Sequence, residues 1–571
     1  MASPSSAAPS PAADFAEFTR LFQGRFASGA VYSCTQNILN TRSEKRMRLM
    51  SGAIRAKPDW LDKLNNPEIR ARWTREAKAQ ELTEQEIDFV FDELAYYATL
   101  HRPGSSLRLS AVEQVWVSDS LIDEATAAEL KRYAAILENV PERDKDWHPN
   151  SNNQVLNLVH PSLFPLVYES SPLLPTPIPS PAAAVELDTF GQFPGSLTKW
   201  GEAVRSNTMD TTLFVPGGGL SYTSPNFCWL PTEFRVAEDG SVAIESYINN
   251  LHPIRHAAFY PTIASIFGKL VPMLEHVLTD IVHPRAPRVV PDPYSWFVND
   301  GSEPKDLEAP DYEERYEEWH ENRRFLDPQP DAFVAPEHRT APFSLRGRRL
   351  QAIFKMSSIE LTPEKPAYEG GNWHVEAMDN ERIVATGIYY YDVENITESK
   401  LSFRESVDEE IDYEQNDNEG VGRAYGIYDD NDDDAVPLVQ EIGSVEAKNG
   451  RCIVFPNVYQ HRVSGFELAD PTKPGHRKII AFFFIDPTTR IPSTEIVPPQ
   501  QRDWWSEGVR RLPVFACLPD LVVDATLKQV TYPMSLDKAK ELRLELMEER
   551  SANNSSVSES TFAPEFYLCE H

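Results

Sequence analysis

The feature that most constrains this chain is a change of hydrophobic period near residue 350. Downstream, "LQAIFKMSSIEL" (350–361), "IVATGIYYYDV" (383–393), "RCIVFPN" (451–457) and "KIIAFFFID" (478–486) read as β-strands separated by turns. Side chains on a strand alternate between two faces, so such runs supply the inner faces of an all-β sandwich or barrel.

Upstream, the pattern is helical. Thr83 and Glu86 have capping-box spacing ahead of Ile87, Val90, Phe91, Leu94 and Ala98, and Thr126 with Glu129 repeats it before Leu130, Tyr133, Ala134 and Leu137. Ile263, Ile266, Phe267, Leu270, Leu274, Val277, Leu278 and Ile281 share one face of a further helix, which Pro272 is expected to kink. Ser170–Ala184 is Pro-rich and reads as an extended connector. Turn signals stand at "PGGG" (216–219) and "EDGS" (238–241), and 300–340 reads as charged surface. The expected organisation is a disordered tail (1–13), a mainly helical region (14–345), a β core (346–505) and a C-terminal extension with a short helix over Leu536–Glu549 and a polar tail (506–571). The core carries an acidic insertion, Glu405–Asp434, with thirteen Asp or Glu residues, which reads as a solvated loop. "DDNDDD" (429–434) lacks the Gly and distal Glu of an EF-hand loop, which argues against calcium there.

Bulk properties narrow the partners. A formal net charge of −32 repels phosphate backbones and anionic lipid, which disfavours nucleic acid and membrane surfaces. Five scattered cysteines without a C-x-x-C fit neither a disulfide framework nor a thiolate zinc site, and suit a reducing compartment. The N-terminal stretch has neither the basic nor the apolar part of a secretory signal, and the longest apolar runs are strand-sized. The expectation is an intracellular, cytoplasmic protein, with the nucleus left open.

The chemistry gathers at "GGNWHVEAMDNERIVATGIYYYD" (370–392). His374 and Glu376 are two residues apart on extended chain, so imidazole and carboxylate point to one side. His461, in "FPNVYQHRV", follows another strand and offers a third ligand. Two histidines and one carboxylate leave half of an octahedron open, the facial triad of non-haem Fe(II) oxygenases. Such a site needs an electron-donating co-substrate. 2-Oxoglutarate chelates iron through its 2-oxo acid end, and its far carboxylate then needs a cation in a dry pocket. Arg477 opens the apolar face Ile479–Ala481–Phe483, where an unpaired guanidinium would be costly. The Tyr391 hydroxyl is a second candidate for the co-substrate carboxylate.

His374-x-Glu376, His461 and Arg477 together resemble the signature of the Fe(II)/2-oxoglutarate-dependent oxygenase superfamily. More narrowly, "MRLMSGAIRAKPDW" (47–60), "NNQVLNLVHPSLFPLVY" (152–168), "SYINNLHP" (246–253), "YEGGNWHVE" (368–376), "FPNVYQHRV" (455–463), "TKPGHRKIIAFFFIDP" (472–487) and "STEIVPPQQ" (493–501) resemble a fungal family of large proteins of unknown function. The superfamily resemblance covers about 350–490 and implies a double-stranded β-helix, or jelly roll, there; with the helical periodicity upstream, the expected fold is α+β, a helical N-terminal region packed on that C-terminal core. It implies Fe(II) held by His374, Glu376 and His461, with 2-oxoglutarate anchored by Arg477. Two departures stand out. Glu replaces the commoner Asp, and "ELADPTKPG" (467–475) lengthens the spacing from His461 to Arg477, so Lys355, Lys400 and Arg462 stand as alternative anchors. The implied activity is oxidation of an unknown small-molecule or protein substrate by O2, with decarboxylation of 2-oxoglutarate to succinate. Two alternatives remain at this point: a non-catalytic jelly roll that binds proteins through acidic loops, and a metal-dependent cupin-like enzyme without 2-oxoglutarate.

Overall fold

The computed structural model describes residues 11–25, 38–101, 104–186, 223–298, 301–336, 342–376, 378–407, 413–414, 417–427, 436–437, 439–530, 532–562 and 565–566. The chain is α+β, with mostly antiparallel sheets. "PGGG" (216–219) and "DDNDDD" (429–434) lie outside the described residues.

Seven strands frame the core: β1 (Arg349–Leu361), β2 (Ile383–Glu394), β3 (Lys400–Ser406), β4 (Val439–Glu446), β5 (Cys452–Pro456), β6 (Gln460–Val463) and β7 (Gly475–Ile485). In the larger sheet, β5, β2, β7 and β1 are neighbours in that order, all antiparallel. In the smaller sheet, β4 pairs with β3 and β3 with β6. A further extended segment lies along β6. There His374 and His461 bond reciprocally through their backbones, and Ala367–Tyr368 pairs with Phe466–Glu467.

Alternation explains the layering. On β7, Ala481 and Phe483 face inward and pack with Ile353, Tyr390, Phe403 and Phe455 between the sheets. Ile480, Phe482 and Phe484 face outward, against the helices. The main cover is α4 (Tyr260–Val282), introduced in chain order after α1 (Arg42–Arg55), α2 (Glu84–Leu100) and α3 (Glu124–Glu138). Its apolar face (Ile263, Ile266, Phe267, Leu270, Leu274, Val277) is buried, and Pro272 lies inside the helix. The larger sheet also runs across the boundary expected at residue 346: Val155–Val159 and Thr232–Val236 both pair with β1, and Trp116–Ser118 pairs with β5.

Four expectations need correction or refinement. The capping box at Thr83 and Glu86 is present, but α3 is capped by Asp123, whose carboxylate accepts from the Thr126 N–H. The tail 1–13 is cut short by a helix that begins at Pro11. The acidic insertion is not uniformly solvated: α5 (Asn418–Tyr425) buries Val421 and Ala424 beside Trp296, and the Trp296 indole N–H bonds to Asp417. The C-terminal helix, α6 (Leu536–Ser560), continues through the segment read as a polar tail. Val557 is fully buried and packs with Val375, next to the candidate site. The hairpin at "EDGS" forms as expected, joining Thr232–Val236 to Val242–Ile244. Among the described residues, no helix is long and apolar enough to cross a membrane.

Candidate metal centre

His374, Glu376 and His461 form one cluster whose ligand atoms all lie within 4.8 Å of one another. Strand pairing builds it. The His374 N–H bonds to the His461 carbonyl at 3.1 Å, and the His461 N–H returns the bond at 2.9 Å. This pairing brings their rings to 4.3 Å between centroids. Glu376 Oε1 stands 3.4 Å from His461 Nε2 and 3.9 Å from His374 Nε2.

The protonation states suit a cation. The His374 Nδ1–H donates to the Asn372 carbonyl at 2.8 Å, an oxygen that only accepts. Burial, then the neighbouring His461, lowers the His374 pKa to about 4, so near neutrality the ring is neutral and its Nε2 lone pair faces the cluster. Burial alone would raise the Glu376 pKa. The hydrogen bond from His461 and the charges nearby overcome this and hold it at about 2, an ionised carboxylate. A neutral imidazole beside a carboxylate, with a second imidazole facing the same oxygen, is a donor set that fits a divalent transition metal.

Asn457, which follows β5 in "FPN", fixes the carboxylate's backbone and was missed in the sequence. Its Oδ1 accepts from the Glu376 N–H at 2.9 Å, and its Nδ2–H donates to the Glu376 and Ile383 carbonyls at 2.8 and 3.0 Å. The signal available was a buried amide one residue beyond a strand end.

Arg477 is 4% exposed and points between the sheets. It donates to Ser399 Oγ at 2.9 Å and lies 5.5 Å from the ring centroids of both Tyr390 and Phe466. Its Nε has no hydrogen-bond partner, and it makes no ion pair among the described residues. Burial pulls its pKa down. The other three candidates divide. Lys400 and Arg462 are each 44% exposed and face Glu398 and Glu441, whereas Lys355 shares the inward face of β1 with Ile353. Tyr391 is not with Arg477: it packs on the helical side of the larger sheet, and Tyr390 holds the inward position. His476, next to Arg477, bonds outward to Asp392 at 2.9 Å.

The fold and this cluster define the class: an α+β chain with a candidate three-ligand metal centre between two antiparallel sheets. The chain belongs to the family described as Protein of unknown function (DUF4246), whose model matches residues 84–508; Domain of unknown function DUF4246, N-terminal, matches residues 5–76. No curated protein matches. Among solved structures, the chain is similar to a selenomethionine-labelled Fe(II)/(alpha)ketoglutarate-dependent dioxygenase TqaL, with 10% identity, 47% of this chain and 70% of that one covered, and a TM-score of 0.21. It is also similar to IDO from Bacillus thuringiensis, with 11% identity, 24% and 46% covered, and a TM-score of 0.15. Scores this low carry no functional argument, so the geometry must.

Proposed function

We propose that this chain is an Fe(II)- and 2-oxoglutarate-dependent dioxygenase. The observation that carries the reading is the convergence of His374, Glu376 and His461 within 4.8 Å. Bound there, Fe(II) supplies open coordination positions and the oxidising power, drawn from O2 and 2-oxoglutarate, to convert a substrate C–H into C–OH with release of succinate and CO2.

The chain's own residues have separate tasks. His374, oriented by the Asn372 carbonyl, offers Nε2 on the more exposed side. Glu376, clamped by Asn457, offers a fixed negative oxygen. His461 is buried, with the Phe455 ring edge against it at 4.8 Å, which keeps water from that side. Arg477 receives the far carboxylate of 2-oxoglutarate, the anion its unpartnered Nε lacks.

Strand order supports the jelly-roll part of the reading. Counting the His374 segment as second of eight extended segments, the first pairs with the eighth, the second with the seventh, the third with the sixth and the fourth with the fifth. The eighth also pairs with the third, and the seventh with the fourth. A long antiparallel ribbon gives this pattern when it is rolled into a double-stranded β-helix.

The test is succinate release from 2-oxoglutarate by the Fe(II)-loaded protein under air. Slow uncoupled turnover is expected without added substrate, and none from His374→Ala. Metal-loaded protein that never consumes 2-oxoglutarate would point instead to a metal site of another kind.

A further inference from the structure

Lys355 is a second inward cation that the co-substrate leaves unused. It lies on β1, shares its face with Ile353 and is partly buried. Among the described residues its ammonium makes no hydrogen bond or ion pair; burial lowers its pKa, and the negative charge of Glu376 opposes that. Its basic neighbours each have partners. Arg550 of α6 pairs with Glu381 and stacks 3.4 Å over the Trp229 ring. Arg543 of α6 holds both oxygens of Asp146 at 2.7 Å. His160 accepts from the Ser162 N–H through Nδ1 at 3.2 Å and lies 5.3 Å from His148 between ring centroids.

Charge balance then selects a ligand. A divalent metal takes over the Glu376 carboxylate as its own counter-charge. The dianion of 2-oxoglutarate is matched by Arg477 and by the remaining metal charge. Lys355 is left as one positive charge in excess within a partly enclosed site, and such a charge is costly unless an anion joins it.

Resting on the metal-centre reading above, we propose that Lys355 binds a carboxylate of the substrate, so that the substrate class is an organic monocarboxylate oxidised near its acid end. Lys355 stands opposite Ala481 on β7, between the sheets, and the Glu376 charge reaches it, so a carboxylate held there lies on the cluster's side of the larger sheet. A single excess charge fits a carboxylate better than a phosphate ester, which carries close to two charges at neutral pH.

The test is calorimetric binding to the full-length protein loaded with Mn(II) and 2-oxoglutarate without oxygen. The probes are acetate, hexanoate and dodecanoate, each against its amide. At least one acid is expected to bind roughly tenfold or more tightly than its amide, the scale of one charge-assisted hydrogen bond. Lys355→Met removes that preference, Lys355→Arg keeps it, and both retain wild-type affinity for 2-oxoglutarate. No binding of any acid, equal binding of acid and amide, or a preference that survives Lys355→Met would overturn the assignment and leave the metal centre standing. Loss of 2-oxoglutarate affinity in Lys355→Met would overturn it too, by making Lys355 the co-substrate anchor. Absence of Mn(II) binding in the wild type would remove the metal centre itself, and this inference with it.

Discussion

His374 and His461 are joined twice through their backbones, each N–H to the other's carbonyl, at 3.1 and 2.9 Å. This one antiparallel pair brings together two imidazoles that are distant in sequence. In such a pair, directly opposed side chains leave the same face of the ribbon. The metal centre is therefore a property of register: a slip of one residue would leave His374 and Glu376 on one face and turn the His461 ring to the other.

Asn457 is the first place to test that dependence. Asn457→Ala removes three hydrogen bonds to the backbones of Glu376 and Ile383. The expected cost is about 1–3 kcal/mol in urea unfolding. A ten- to hundredfold loss of Mn(II) affinity is expected with it, the scale for removing a group that orients a ligand. Mn(II) affinity equal to wild type would show that Glu376 is positioned without it.

Arg477 separates function from stability. No acid pairs with it among the described residues and its Nε is orphaned, so Arg477→Met should leave the unfolding midpoint of the metal-free protein unchanged or raised. The same variant should bind Mn(II) normally and 2-oxoglutarate at least tenfold more weakly. Marked destabilisation with unchanged 2-oxoglutarate binding would make Arg477 structural.

Arg550 ties α6 to the site. Its partner Glu381 also accepts from the backbone N–H groups of Trp229 and Met378, at 2.7 and 3.1 Å. Arg550→Met leaves that carboxylate buried and short of its cation, at an expected cost of about 3–5 kcal/mol in chemical denaturation. A loss below 1 kcal/mol would mean that the backbone donors suffice.

Acid should weaken the fold through His148 and His160. Burial, then Lys355, lowers the His148 pKa to about 4 and that of His160 well below its usual value. Unfolded histidine titrates near 6.5, so between about pH 4 and 6.5 the unfolded chain binds more protons and stability rises with pH. Urea midpoints between pH 4.5 and 7.5 should show this slope, and His160→Gln should flatten it. The comparison is needed because Asp280, pushed up to about 6 by burial, contributes the opposite slope in both proteins. An unchanged slope in the variant would contradict this account.

The legible parts of the sequence were those where local pattern and tertiary environment agree. Alternation marked β1, β2, β5 and β7 because those strands bury inward and outward faces in two different cores. The cluster was legible because His374 and Glu376 need only extended chain to point the same way. Tyr391 was not legible: a register shift between Tyr390 and Asp392 puts Tyr390, not Tyr391, on the face of Val393, which pairs with Arg477. The buried side of α5 was hidden in an acidic segment, because its partner, Trp296, lies far away in sequence. Lys355 looked like one of several equivalent cations until the fold turned Lys400 and Arg462 toward acids near the surface.

The most direct measurement is anaerobic calorimetric titration of Mn(II) into the wild type, His374→Ala, Glu376→Ala and His461→Ala. The account predicts one metal per chain in the wild type and loss of that binding in each variant, without loss of fold by circular dichroism. Wild-type stoichiometry in any of the three folded variants would contradict it.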